Sequence, residues 1–274
     1  SVCTSFATTS TGGFGVKNDS ICGYSPAIQY VITLFLFLSG FNYNFYFFVW
    51  IKRFRDAISM QEIKLYIAVF FGAIAIITAN IFQTGYTLEE SFRHASFQVG
   101  SIMTTSGFSS ANFDVWPGLS KSILVLLMFI GGSPVGTAGG IKTVTIAVLI
   151  FAAFSTIKNK EDVVLFQRTI PKQAVSKAVA VVCMSFMIMF ISTLLLSAVT
   201  NANALDIAYE TVSATATVGL TRNLTPILNI WGKLIIIVTM YLGRVGPISL
   251  VIAINTTKEK KNIIKEPTEE ISIG

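Results

Sequence analysis

Three short segments bring together residue types that can replace the hydration shell of a monovalent cation. They read Thr11-Gly12-Gly13-Phe14, Thr105-Ser106-Gly107-Phe108 and Thr217-Val218-Gly219-Leu220, each after a stretch rich in Ser, Thr and Ala. A desolvated cation needs oxygen ligands, and rings of backbone carbonyls supply them. Extended backbone that points its carbonyls inward often needs dihedrals that only glycine adopts without strain. That gives Gly13, Gly107 and Gly219 a reason to recur. Thr11, Thr105 and Thr217 add hydroxyl or carbonyl oxygens, and Gly12, Ser106 and Val218 complete the segments. No carboxylate falls within them, which favours a monovalent over a divalent ion. One Thr-x-Gly means nothing, and an interhelical turn can contain it. Three of them, each followed by a proline (Pro26, Pro117, Pro226) and a long apolar run, make a repeat.

The elements that must position these segments follow from the flanking residues. Thr87-Leu88-Glu89-Glu90 is a capping box with Thr87 at the N-cap and Glu90 at N3, and Asn203-Ala204-Leu205-Asp206 imitates it. Each opens a helix too short to cross a bilayer, which stops at the Thr-x-Gly segment. Such non-helical backbone is tolerated at membrane depth only where it lines a water-filled cavity or is buried in protein. The C-terminal ends of these half-helices carry about half a negative charge each and would favour a cation. The sequence therefore predicts an all-α integral membrane fold. Its tandem units are transmembrane helix, re-entrant pore half-helix with filter, and transmembrane helix, arranged around a central ion pore. Residues 1–55 form a partial unit, 62–157 and 172–257 two complete units, and 258–274 a cytoplasmic tail. Ser1 opens inside the first motif, so an upstream unit is expected to precede it.

Composition agrees. Of 274 residues, 53% are hydrophobic and 12% charged, against about 25% charged in a soluble domain. Residues 27–51, 65–88, 122–141, 143–157 and 178–205 contain no Asp, Glu, Lys or Arg, and about 20 apolar residues span the hydrocarbon core. The net charge of +6 gathers in three groups. These are Lys52, Arg53, Arg55 and Lys64; Lys158, Lys160, Arg168, Lys172 and Lys177; and Lys258, Lys260, Lys261 and Lys265. Each lies between or just after apolar spans, so the groups mark a cytoplasmic face and argue against a nucleic-acid partner. Three widely spaced cysteines and a single histidine, His94, imply neither a disulfide framework nor a metal cluster.

Two features interrupt the apolar runs. The first comprises Gly131, Gly132, Ser133, Pro134, Val135, Gly136, Thr137, Ala138, Gly139, Gly140, Ile141, Lys142 and Thr143. Five glycines and a proline cannot continue a regular helix, so this is a broken or looped segment within the membrane. It is not a nucleotide-binding loop, because Ile141 stands where G-x-x-x-x-G-K-(S/T) demands glycine. The second is Arg244, in Gly243-Arg244-Val245-Gly246-Pro247. A cation at the bilayer centre costs at least ~2.5–3.5 kcal/mol, so Arg244 is expected to face the bundle interior and find a partner. No paired acid or histidine–nucleophile arrangement supports an enzyme. A secondary transporter for an organic solute would also use broken helices, but would show inverted repeats, whereas these run in one direction.

Together, ATTSTGGF, TTSGF, TATVGLTRNLTP, GGSPVGTAGGIKT and YLGRVGP resemble the Trk/Ktr/HKT superfamily of potassium transporters, in particular its bacterial pore-forming subunits, up to about residue 257. The resemblance implies four units around one pore, potassium as the transported ion and no cofactor in the chain. It implies a multi-pass protein of the bacterial plasma membrane, in contact with lipid, that forms a homodimer and docks cytosolic nucleotide-binding (RCK-type) regulatory subunits. It leaves passive transport and coupling to sodium or protons both open. It makes residues 131–143 an intramembrane gating loop and Arg244 the basic residue that limits flux beside it.

Overall fold

The computed structural model describes residues 2–160, 162–166 and 168–246; the end of the third expected unit and the tail 258–274 lie outside the described residues. Helix α1 (Val2–Thr9) runs into the first Thr-x-Gly segment, and α2 (Pro26–Ser39) starts with proline in its first turn, where the missing N–H costs nothing. Then come α3 (Tyr43–Trp50), α4 (Phe54–Ser59) and α5 (Gln61–Phe82). Helix α6 (Leu88–Met103) leads into the second segment, followed by α7 (Gly118–Phe129), β1 (Ile130–Gly131), β2 (Ile141–Lys142) and α8 (Thr143–Ile157). A hairpin of β3 (Val163–Leu165) and β4 (Arg168–Ile170) precedes α9 (Lys172–Val199), α10 (Ala204–Thr215), which leads into the third segment, and α11 (Ile230–Val245).

Burial is distributed the opposite way from a soluble protein. The long apolar helices α5 and α9 are long and apolar enough to cross a membrane, yet only 33% and 17% of their most apolar windows are buried. The short, more polar α6 is the covered element. It buries Ser91, Arg93, Ser96, Gln98 and Ser101 alongside Phe97, Val99 and Met103, wedged between α2, α5 and α7. Helix α10 is buried from Ile207 to Thr215 except at Ala208, against α9, α11 and α7. Short polar helices are thus pressed inward and long apolar ones left facing out.

Two features depart from the expected pattern. The uncharged block 27–51 is not one straight span: α2 and α3 are bent by 89° at Gly40–Asn42. The space a side chain at Gly40 would need is taken by the Tyr66 hydroxyl, and the Asn42 amide donates to Glu62 Oε2 at 2.8 Å. Tertiary contacts with α5 therefore set the break, with no proline or charge needed. The described residues also contain four short strands, β1 paired in parallel with β2 and β3 antiparallel to β4, so they are mostly rather than wholly helical.

The capping box at α6 is present in full. Thr87 Oγ1 accepts the Glu90 N–H at 3.3 Å, and Glu90 Oε2 accepts the Thr87 N–H at 3.0 Å. That backbone hydrogen bond, with the Thr87 hydroxyl, holds the Glu90 carboxyl below its ordinary range. The depressed value means that the contribution is present above the ordinary carboxylate pKa and fades on acidification through the folded value. Thr87→Ala is expected to cost about 1 kcal/mol, read as a lower unfolding temperature of the purified protein. The deficit should shrink in acid, where the wild-type cap is itself weakened.

Candidate functional site

The three Thr-x-Gly segments have the same backbone conformation. Thr11, Thr105 and Thr217 have φ of +54°, +55° and +56°, and Gly13, Gly107 and Gly219 have φ of +69°, +76° and +88°. Positive φ is a genuine outlier for a β-branched residue and costs of order 1–3 kcal/mol, maintained only where the surroundings enforce it. Here the enforcement is visible. Each half-helix ends in the same i to i−5 bond around its left-handed threonine, the pattern of a Schellman cap: Gly12 N–H to Ala7 O, Ser106 N–H to Ser101 O and Val218 N–H to Ser213 O, all 2.9 Å. The same outlier at the same position three times is a designed feature. Sequence reading supplied the glycines but not the left-handed threonines.

The segments also face one another. A Cβ at Gly13 would collide with the Ser106 carbonyl oxygen, and one at Gly107 with the Val218 carbonyl oxygen. Successive segments therefore meet glycine face to middle-residue carbonyl. Thr11, Gly12, Gly13, Thr105, Ser106, Gly107, Thr217, Val218 and Gly219 all line one cavity of about 640 Å³, together with Glu210 and Arg244.

The segment 131–143 lies directly against the base of these turns. The Gly139 N–H donates to Thr105 Oγ1 at 2.7 Å, and a Cβ on Gly139 would overlap Thr217 Oγ1. Only glycine permits that approach. At its other end the Ser133 N–H donates to Gly40 O and the Tyr43 N–H to Val135 O, both 3.1 Å. Gly131 pairs with Lys142 across β1 and β2, Gly132 O accepts the Thr143 N–H at 3.3 Å, and a Cβ at Gly136 would lie 3.2 Å from Phe41 O. Val135 and Gly140 take positive φ, and Pro134 sits in the turn between them and β1. The Lys142 ammonium donates to Ala138 O within the loop. Arg244, in the last turn of α11, donates from Nη1 to Thr137 O at 3.1 Å. The loop 131–143 is thus one body that touches two of the three Thr-x-Gly turns and Arg244.

Two residues at the site were not singled out by sequence. Glu210 is buried in α10 and accepts from the Thr225 and Thr221 hydroxyls, the latter at 2.7 Å, bracing the backbone after Gly219. Arg222 bridges Asp114 (2.8 Å) and Asp206 (2.7 Å), joining the loops after the second and third turns, and the Asp114 hydrogen bond raises its pKa further. The only sequence signal was their position soon before or after a Thr-x-Gly.

The family described as TrkH, cation transport protein, matches residues 58–265. The chain belongs to this family. The TrkH family is one of transporters, not enzymes. Ktr system potassium uptake protein B of Bacillus subtilis is 32% identical over 273 residues, 96% of this chain and 60% of that protein. The potassium/sodium uptake protein NtpJ of Enterococcus hirae is 28% identical over 284 residues, 96% of this chain and 61% of that protein. The chain spans about 60% of the length of these curated relatives. The crystal structure of the potassium transporter TrkH from Vibrio parahaemolyticus superposes with a TM-score of 0.81 at 22% identity, over 92% of this chain and 57% of that one. That likeness shows the TrkH fold.

Proposed function

We propose that the chain supplies three filter turns of a potassium-uptake pore in a bacterial plasma membrane. The observation that carries this reading is the threefold Thr-x-Gly turn with positive φ at both Thr and Gly, all on one cavity. In a regular strand successive carbonyls point to opposite sides. Alternation between left-handed and ordinary dihedrals turns successive peptide planes the same way, so several carbonyls aim at one axis and replace an ion's water. The ends of α6 and α10 add their negative helix termini, and Glu210 adds a buried carboxylate beside the third turn.

In this reading residues 131–143 are the gate below the filter and Arg244 is its electrostatic latch. The uncovered apolar exteriors of α5 and α9 face lipid, two such chains form a dimer, and RCK-type nucleotide-binding subunits dock on the cytosolic face. Potassium is the favoured ion because relatives in the family are named for its uptake. One of them is named for potassium and sodium together, so the test includes both. Expression of the native protein with its regulatory partners is expected to restore growth of a potassium-uptake-deficient bacterium at low external potassium. Rescue that tracks added sodium rather than potassium would overturn the choice of ion, and no rescue despite membrane insertion would overturn the transport reading.

A further inference from the structure

The elbow between α2 and α3 ties a surface helix to the loop 131–143. Gly40 O accepts the Ser133 N–H and the Tyr43 N–H donates to Val135 O, so the elbow and the loop share backbone hydrogen bonds from both sides. Asn42 reaches Glu62 in the first turn of α5. Helix α5 has 22 residues, about 33 Å, close to the thickness of a hydrocarbon core. The elbow therefore sits at the depth where α5 starts, which is the cytosolic boundary marked by Lys52, Arg53, Arg55 and Lys64.

Beyond the elbow α3 turns through 89° and so runs along that boundary. No residue of its sequence, YNFYFFVW, is fully buried; Phe45, Phe48 and Val49 are half-buried, and Trp50 is 87% exposed. Aromatic side chains concentrate at the membrane–water interface because one edge is apolar and the other polar. The helix stops at Lys52, whose φ of +60° ends it, and Lys52, Arg53 and Arg55 all point to the exterior. Among the described residues Asp56 alone offsets them, 4.0 Å from Arg53 and exposed, a weak pairing. An aromatic helix lying in the interface and ending in basic residues fits one occupant, the anionic lipid headgroups of the cytosolic leaflet.

We propose that α3 and Lys52–Arg55 are an anionic-lipid contact that holds the elbow, and through it the loop 131–143, in the seated position. The proposal rests on the gate reading given above. Each basic residue at such a surface strengthens association about fivefold, so removing three releases the elbow and loosens the loop.

The native protein is reconstituted in vesicles of phosphatidylcholine, or of phosphatidylcholine and phosphatidylglycerol in equal parts, and thallium influx is followed. Wild type is expected to conduct several-fold less in the anionic vesicles. Lys52→Gln/Arg53→Gln/Arg55→Gln is expected to conduct at the higher rate in both. An equal lipid ratio in wild type and triple variant overturns the proposal. So does a variant whose flux differs from wild type only when purified regulatory subunits are added, which assigns the patch to a protein partner. A second reading does not depend on the triple variant folding. In a background where every tryptophan but Trp50 is replaced by phenylalanine, Trp50 fluorescence is expected to be quenched by lipids brominated near the headgroup, and absence of quenching overturns the interfacial placement. Quenching without flux in any lipid supports that placement while counting against the transport reading, so the two failures are distinguishable.

Discussion

Arg244→Ala is expected to raise potassium flux through the reconstituted native protein by at least about tenfold. The side chain lies on the cavity that the Thr-x-Gly turns share and donates to Thr137 O of the loop, so it acts twice. It pins the loop beneath the turns, and its charge opposes an approaching cation. For a separation of about 8 Å in surroundings of effective dielectric about 20, a unit charge costs a monovalent cation about 2 kcal/mol, roughly a thirtyfold depletion. Arg244→Lys retains the charge and loses the fork of donors, so it should fall between wild type and alanine. Removing residues 135–138 should likewise raise flux, because it deletes the Thr137 acceptor and the Val135 acceptor of Tyr43 while leaving the pairing of Ile130 with Ile141. Single-vesicle or stopped-flow thallium influx reads both. Wild-type rates in Arg244→Ala and in the deletion would remove the gate and the latch together.

Gly107→Ser is expected to lower the preference for potassium over sodium by tenfold or more, about 1.4 kcal/mol of differential coordination. Two penalties coincide at this residue. Its φ of +76° strains any residue with a Cβ, and the new Cβ would meet the Val218 carbonyl oxygen, which in the filter reading is an ion ligand. That carbonyl must move, so the change acts on the neighbouring turn as well as its own. Gly72→Ala is the matched control: it sits inside α5 with nothing within 4 Å of a new Cβ and should improve helix propensity by up to about 1 kcal/mol. Competition between rubidium and sodium uptake in both variants checks the pair. Loss of selectivity in both variants alike would point to general loosening of the fold in place of a filter role for Gly107.

The sequence was most informative where a local rule is strict. A residue that must take positive φ is usually glycine, so Gly13, Gly107 and Gly219 were legible, and the cap at Thr87 was legible because its hydrogen bonds span four residues. The glycine-rich run 131–143 announced a break for the same reason. Illegible features were those set by distant partners. The 89° elbow falls in an uncharged stretch, where hydropathy sees one block, and is made by Tyr66 and Glu62 of α5. Left-handed Thr105 contradicts its own propensity and is enforced by the end of α6. The contact of Gly139 with Thr105 joins residues 34 apart in sequence. Membership of the TrkH family agrees with the resemblance read from the motifs.

The central claim is that the Thr-x-Gly turns hold the ion, and thallium, a dense mimic of potassium, makes that visible. A structure of the native protein in thallium is expected to show anomalous density on the cavity axis, within coordination distance of the carbonyls of Gly12, Ser106 and Val218, and weakened in Gly107→Ser. Thallium flux intact, with density absent from that cavity or located on other residues, would contradict it.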